Sequence, residues 1–245
     1  MDYFNNDNMS LSPDSSRQDY ASIRQREEVQ AKFIAQVFTW MAIALGITAF
    51  VAMLVVSTPL AYLILNFPML IILSIVEVGL VWYLSANINK ISANTVTTMF
   101  IVYSVVNGLT MSLYFVIFTG SSVAGVFFLT AGMFATMAMY GYKTKKDLTQ
   151  VGNLAMMALV GVIIASFVNI ILRSNALYWI ISYIGVIIFV GLTAYDTQKL
   201  KARAYSASLS DEHYVKTCIM GALDLYLDFI NLFIYLIRIF GKRRN

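Results

Sequence analysis

The chain has 245 residues, of which 59% are hydrophobic and only 12% are charged, and its mean hydropathy is +0.72. A soluble domain carries about 25% charged residues, so this composition excludes an ordinary soluble globular protein. The net charge of +4 does not indicate nucleic-acid binding, because the basic residues stand in short segments beside apolar runs. The single cysteine, Cys218, excludes an internal disulfide.

The two ends of the chain are polar. Residues 1–30 are rich in Asn, Ser, Asp and Gln and are expected to form a disordered tail before a membrane domain at 31–241. They contain no basic segment followed by a short apolar core, so no cleaved signal peptide is expected. Residues 242–245 are expected to form a short basic tail.

The apolar residues after position 30 form runs of about 20 residues, which is the length of an α-helix that spans a bilayer. A β-barrel would require shorter segments of alternating polarity. The sequence therefore predicts an all-α, polytopic membrane protein, in which Pro59 and Pro68 make the second helix the least regular. The seven predicted transmembrane helices are 33–56, 61–86, 95–118, 122–142, 152–172, 176–198 and 215–240.

The distribution of Lys and Arg predicts the orientation of these helices. Most of the basic residues lie in the N-terminal segment and in the connections after the second, fourth and sixth helices, which favours a cytoplasmic N-terminus. Seven complete crossings would then place the basic C-terminal residues outside. Either the last segment is re-entrant, as protein-buried segments tolerate, or the tail follows the orientation that the earlier connections set.

Four acidic residues interrupt the apolar runs. An ionised carboxylate at the centre of a bilayer costs roughly 2.5–3.5 kcal/mol on insertion scales, so such residues usually serve a function. In the last helix Asp224 and Asp228 share one face with Asn231 and Tyr235, since their spacing is i, i+4, i+7 and i+11. The four acids are Glu77, Asp196, Asp224 and Asp228.

Asp196 lies near the end of the sixth predicted helix and Asp228 lies in the seventh. If these helices pack as a hairpin, the two carboxyls face each other and are expected to share one proton, because two charges in a low dielectric repel strongly. Glu77, Asn107, Asp224 and Asn231 would add oxygen ligands for a hard cation such as Ca²⁺ if they face the same cavity. The simpler alternative is that these polar groups only satisfy one another inside the bundle.

Two segments carry a resemblance to a known family. Residues 191–199 read Gly-Leu-Thr-Ala-Tyr-Asp-Thr-Gln-Lys, and residues 222–233 read Ala-Leu-Asp-Leu-Tyr-Leu-Asp-Phe-Ile-Asn-Leu-Phe. Together they resemble the signature of the Bax inhibitor-1 family. The basic connection at 143–148 is similar to the family's basic loop after the fourth helix, and the Ser-Ile-Val-Glu segment at 74–77 resembles the second helix of bacterial members.

The resemblance implies six helices around a central, acidic seventh helix. It also implies a pH-sensitive calcium leak in which Asp196 and Asp228 form the gating pair and bind Ca²⁺ transiently. Glu77 matches a glutamate of the ion pathway, to which Asp224 and Asn231 are assigned as further candidates. Calcium and protons are then the transported or sensed ions, the lipid bilayer is the partner, and no cofactor, nucleic acid or identified protein partner is expected.

One departure from the family concerns the end of the second helix, where bacterial relatives carry an arginine cluster that latches onto the sixth-helix aspartate. Residues 87–90 read Asn-Ile-Asn-Lys here, so only Lys90 remains as a possible latch, and it offers a point charge instead of a planar fork. The lone histidine, His213, is expected to be a solvated residue of the last connection. The bacterial-like second helix favours a bacterial plasma membrane.

Three other functions compete with a leak. An intramembrane aspartyl protease also uses two membrane aspartates, but the residues before Asp228 read Leu-Tyr-Leu where that class needs Gly-x-Gly, so an enzyme is not expected. A regulatory protein that modulates a membrane protease or the cell-death and stress machinery is the second alternative. A proton-coupled exchanger is the third, and it differs from a leak only in requiring coupled flux.

Overall fold

The structure is a computed structural model that describes residues 13–206 and 211–244. Within these residues it is an all-α protein, as predicted, and seven of its helices are long and apolar enough to cross a membrane. The eighth, α2, is a single short turn of five residues. The helices are α1 Pro13–Val56, α2 Leu60–Ile64, α3 Phe67–Asn87, α4 Ala93–Ile117, α5 Gly120–Lys143, α6 Thr149–Leu172, α7 Asn175–Ser206 and α8 Asp211–Phe240.

The second predicted helix, 61–86, is not continuous, and this prediction is wrong at its start. The chain leaves α2 at Leu65, and α3 begins after Asn66, whose side chain accepts a hydrogen bond from the Met69 backbone N–H at 3.0 Å. Pro68 stands in the first turn of α3, where a missing backbone N–H removes no intrahelical hydrogen bond. The capping residue and the proline together start a new helix here.

Two helices extend beyond the predicted limits. Residues 13–30 of the predicted disordered tail are helical and continue into the membrane-spanning part of α1, while residues 1–12 lie outside the described residues. α7 continues to Ser206, although the prediction ended it at 198. Once an apolar helix has formed, each further residue adds a hydrogen bond without a new nucleation cost, so helices project past the bilayer. The division into tail, membrane domain and C-terminal tail stays a prediction.

α8 is the central helix of the bundle. It contacts α1, α4, α5 and α7, and 67% of its most apolar window is buried inside the protein, compared with 11% for α3 and for α6. The expectation of a central seventh transmembrane helix is therefore confirmed. α3 and α6 present long rows of exposed apolar side chains, which is how lipid-facing helices differ from helices in water.

α8 crosses the whole bundle. At its start, which we call the near end, Tyr214 packs edge-to-face on Phe33 with ring centroids 5.4 Å apart. At its finish, the far end, the backbone N–H of Thr119 donates to the Lys242 carbonyl at 3.0 Å. A continuous helix of 30 residues between these two ends excludes the re-entrant alternative. The C-terminal residues therefore lie at the end opposite to the start of α8.

Candidate functional site

Asp228 is buried at the centre of the bundle, with 4% of its surface exposed. Its Oδ2 atom is the one buried side-chain N or O atom among the described residues that has no hydrogen-bond partner. The carboxyl group of Asp196 on α7 lies within hydrogen-bonding reach of the Asp228 carboxyl. The two acids that the sequence singled out are thus brought together on neighbouring helices.

Small residues allow α7 and α8 to approach closely on both sides of this pair. A Cβ atom on Gly221 of α8 would overlap the Leu200 side chain of α7. In the other direction along the helices, a Cβ atom on Gly185 of α7 would lie 2.6 Å from the Tyr235 ring of α8. Close helix contacts of this kind depend on residues without side chains. The predicted aspartate pair depends on hairpin packing of these two helices, and this packing is present.

Two cations on α7 accompany the acids, and sequence reasoning missed both. Lys199 Nζ lies 3.8 Å from Asp196 Oδ1, and Arg203 Nη1 lies 3.3 Å from Asp224 Oδ2. The predicted sixth helix ends at 198, so the prediction places both cations in the connection that follows it, whereas α7 continues to Ser206. The helical spacing of i+3 and i+7 from Asp196 was the available signal, since it places both cations on the face of the aspartate.

Lys90, the predicted latch, is exposed at the near end. The ion pairs that the described residues form with membrane-embedded aspartates come from Lys199 and Arg203. The Lys199 pair lies within α7, whereas the Arg203 pair links α7 to Asp224 of α8, so neither cation is a latch from the helix that ends before Lys90. A latching role for Lys90 stays a prediction.

A cavity of about 450 Å³ opens at the near end beside these ion pairs. Its wall includes Asp224, Lys199, Arg203 and Lys216 together with His213, the residue expected to be only solvated. Lys216 also pairs with Glu212 at 3.0 Å. The cavity brings Asp224 into contact with space outside the bundle, while Asp228 lies one helical turn deeper on the same face.

Glu77 lies in a different polar network, on the other side of α8. The Thr110 hydroxyl of α4 donates to Glu77 Oε1 at 2.7 Å. One turn away on α4, the buried Asn107 accepts a hydrogen bond from the Tyr226 hydroxyl at 2.9 Å, and that hydroxyl also lies 2.6 Å from Thr48 Oγ1 of α1. Tyr226 follows Asp224 by two residues and precedes Asp228 by two, so it points away from both.

The single cavity that would collect all the candidate oxygen ligands is therefore not formed in this structure. Glu77 and Asn107 belong to the Tyr226 network, and the Asn231 amide donates to the Leu227 carbonyl of its own helix at 2.8 Å. The described residues contain no cluster of three or more His, Cys, Asp or Glu side chains that would hold a metal ion. Transient calcium binding by Asp196 and Asp228 stays a prediction.

Bacterial proteins similar to this chain match it over most of its length. The Inner membrane protein YbhL of Escherichia coli K12 is 50% identical over 215 residues, covering 86% of this chain and 92% of the relative. An uncharacterized protein of Borreliella burgdorferi is 42% identical over 231 residues, covering 93% and 99%. An uncharacterized protein of Rickettsia prowazekii is 38% identical over 220 residues, covering 89% and 93%.

The family profile described as "Inhibitor of apoptosis-promoting Bax1" matches residues 30–245, which include the whole predicted membrane domain. The match includes both segments that carried the resemblance, around Asp196 and Asp228. With seven membrane-spanning helices, of which α8 is the central one, the chain is an integral, multi-pass membrane protein and belongs to the Bax inhibitor-1 family.

Proposed function

We propose that this protein is a pH-sensitive calcium leak of a bacterial inner membrane, gated by the Asp196–Asp228 pair. The observation that carries the proposal is the buried Asp228 Oδ2, which has no donor among the described residues and adjoins a second carboxyl. Family membership, together with the name of the E. coli relative as an inner membrane protein, supports a location in a bacterial inner membrane.

A shared proton explains why two carboxyls stand side by side inside an apolar bundle. With one proton, one carboxyl donates to the other, the buried oxygen is satisfied, and only one negative charge remains. That hydrogen bond links α7 to α8. The singly protonated pair therefore stabilises the closed arrangement of the two helices.

Loss of that proton leaves two neighbouring charges in a low dielectric. Their repulsion favours separation of α7 and α8 or the entry of a cation that neutralises them. Calcium is the cation that carboxylate oxygens, amide oxygens and water accommodate well. The leak is thus expected to increase as the pH rises.

The pathway is proposed to run past Asp224 at the near-end cavity, with Asn231 further along the same face of α8. Lys199 and Arg203 border this route and would have to move with α7 for a cation to pass. Glu77 is proposed to act on the pathway from the Tyr226 network. The N-terminus is proposed to be cytoplasmic, as the distribution of basic residues predicts.

The test is calcium flux into liposomes between pH 5 and pH 8, with the wild type beside Asp196→Asn/Asp228→Asn. Wild-type flux is expected to rise with pH, and the double variant is expected to show low flux with no pH response. Asp147→Asn is the matched control for each substitution, because Asp147 is an exposed acid outside the membrane. Hydrogen bonds from the Thr149 hydroxyl and backbone N–H hold the pKa of Asp147 below its ordinary value, so it stays ionised over this range.

An unchanged pH profile in the double variant would exclude gating by this pair. A lack of wild-type flux at every pH would instead point to the regulatory alternative, in which the acids only hold the bundle together. Proton flux that requires calcium on the opposite side would identify an exchanger.

A further inference from the structure

The far end of the bundle contains a second cavity, of about 560 Å³, which we call the far-end cavity. Three arginines line it, and it adjoins a smaller cavity of about 420 Å³ that shares two of them. The arginines are Arg173, Arg238 and Arg243. Neither cavity is lined by any of the acids proposed for gating.

The charge of the far-end cavity is not compensated by acidic side chains. The sequence contains no Asp or Glu between positions 148 and 195 or after position 228. The ion pairs formed among the described residues all involve other cations. Three guanidinium groups in one concave site create a strongly positive potential that favours an anionic ligand.

Three separate elements deliver the arginines to this place. Arg238 stands in the last turn of α8, where its guanidinium lies 5.4 Å from the Tyr235 ring centroid and 5.8 Å from that of Tyr178. Such cation–π contacts orient the guanidinium while leaving its N–H groups free to donate. Arg173 ends α6, and Arg243 lies on the C-terminal segment.

The backbone at both of these positions is held in place. Arg173 has φ 50° and ψ 33° and is the one non-glycine residue with positive φ among the described residues. Gly or Asn usually occupies this helix-ending position, so an arginine here gives up some local stability. Arg243 pairs with Phe118, and the neighbouring Arg244 N–H donates to the Ile117 carbonyl at 2.8 Å.

Neutral donors complete the wall of the cavity. Asn169 Oδ1 accepts the Ser174 N–H at 3.0 Å, which leaves the Asn169 amide N–H groups available. α7 begins at Asn175, so the positive end of its helix dipole lies at the same place. The helix start adds to a site that the arginines already define.

The surroundings place this cavity at the level of lipid headgroups. Trp179 also lines it, and this ring stacks on Tyr183 while both remain partly exposed, as aromatic residues do at membrane interfaces. Ile171 and Leu172 at the end of α6 are exposed, so acyl chains can lie against the helix beside the cavity. Phosphate is the anion whose oxygens match the planar donor geometry of arginine.

We infer that the far-end cavity binds a phosphate group through Arg173, Arg238 and Arg243, and that an anionic phospholipid of the facing leaflet supplies it. This inference does not depend on the proposed calcium leak. The ligand chemistry is that of a phosphate ester, which inorganic phosphate shares.

The test is thermal unfolding of the full-length protein in detergent, titrated separately with phosphatidylglycerol, phosphatidylcholine and inorganic phosphate. Phosphatidylglycerol is expected to raise the Tm of the wild type by about 3–5 °C and more than phosphatidylcholine does. The variant Arg173→Gln/Arg243→Gln is expected to bind phosphatidylglycerol about tenfold more weakly or worse. Both side chains are exposed, so their replacement preserves the fold.

The matched control is Lys242→Gln/Arg244→Gln, which removes the same amount of charge from the two neighbours of Arg243, neither of which lines the cavity. It is expected to keep the wild-type response to phosphatidylglycerol. If the control loses as much affinity for phosphatidylglycerol, the effect comes from general surface charge and the proposed site is overturned. A wild-type response in Arg173→Gln/Arg243→Gln would also overturn the site. If inorganic phosphate raises the Tm and phosphatidylglycerol raises it no further, the phosphate site stands and the assignment of a lipid ligand is overturned.

Discussion

α8 and α3 each carry an acidic residue in the middle of an apolar membrane helix, but the two residues have different surroundings. α8 is surrounded by α1, α4, α5 and α7, and its Asp228 is buried with an oxygen that no donor satisfies. α3 packs mainly on α4, and its half-buried Glu77 accepts a hydrogen bond from Thr110. The same chemical group is left unsatisfied in one helix and satisfied in the other.

This difference in surroundings favours different roles for Asp228 and Glu77. A satisfied, half-buried carboxylate has no need of a second acid, and its protonation changes the charge only at the edge of the bundle. An unsatisfied carboxyl next to another carboxyl changes the force between two central helices when a proton leaves. We therefore expect pH sensitivity to reside in α7 and α8 and not in α3.

The largest expected effect is that of Asp228→Asn on the pH dependence of calcium flux. An asparagine cannot ionise, so the pair never reaches two charges, and flux is expected to stay low from pH 5 to pH 8. Asp196→Asn is expected to act in the same direction but less completely, because Asp196 is closer to solvent. Liposome flux assays measure both, and a wild-type profile in either variant would contradict the gating role of that residue.

A second contrast concerns packing. A Cβ atom on Gly141 of α5 would overlap the Ala194 carbonyl oxygen of α7, whereas a Cβ atom on Gly79 of α3 would meet nothing within 4 Å. Gly141→Ala is expected to lower the free energy of unfolding by about 1–3 kcal/mol, since overpacking forces backbone shifts. Gly79→Ala is expected to be neutral or stabilising by up to about 1 kcal/mol.

Thermal unfolding in detergent would compare these two glycine variants. Equal Tm values would show that α7 is not held by the close contact with α5. Calcium flux should also be measured for Gly141→Ala. A shift of the α7 backbone at Ala194 is expected to displace Asp196, which lies two residues further along the same helix.

A smaller effect is expected for Glu77→Gln. Glutamine keeps the size of the side chain and an oxygen that can accept from Thr110, but it removes the charge from the proposed pathway. Flux at the optimal pH is expected to fall severalfold while the pH of half-maximal flux stays within about 0.3 units of the wild type. A displaced midpoint with normal maximal flux would assign Glu77 to sensing.

The smallest effect is expected for Arg203→Gln, which removes the cation beside Asp224. Without this positive charge the doubly ionised state of the nearby acids is less stable, so the pH of half-maximal flux is expected to rise by about half a unit. Lys90→Gln is the comparison, since it removes an exposed cation at the same end. A larger shift for Lys90→Gln than for Arg203→Gln would support Lys90 as the latch.

The acidic pair was predictable because its two motifs are local. Asp196 and Asp228 stand out as charges in apolar runs, and the hairpin of consecutive helices brings them together. Lys199 and Arg203 were not predicted as their partners, because hydropathy marks only the part of a helix inside the bilayer. The arginines of the far-end cavity come from three segments that are separate in sequence, and no local pattern joins them.

The linear pattern of apolar and charged residues is enough to predict seven crossings of a membrane, their approximate positions and the exceptional acids. Bilayer thickness and the cost of a charge in hydrocarbon act on each segment separately, so a linear pattern reports them. The folded structure was needed to show that Glu77 belongs to the Tyr226 network and that Arg203 pairs with Asp224. It was also needed to show that one cavity is lined by Arg173, Arg238 and Arg243. These facts depend on how helices pack against one another, and that packing is a property of distant segments acting together.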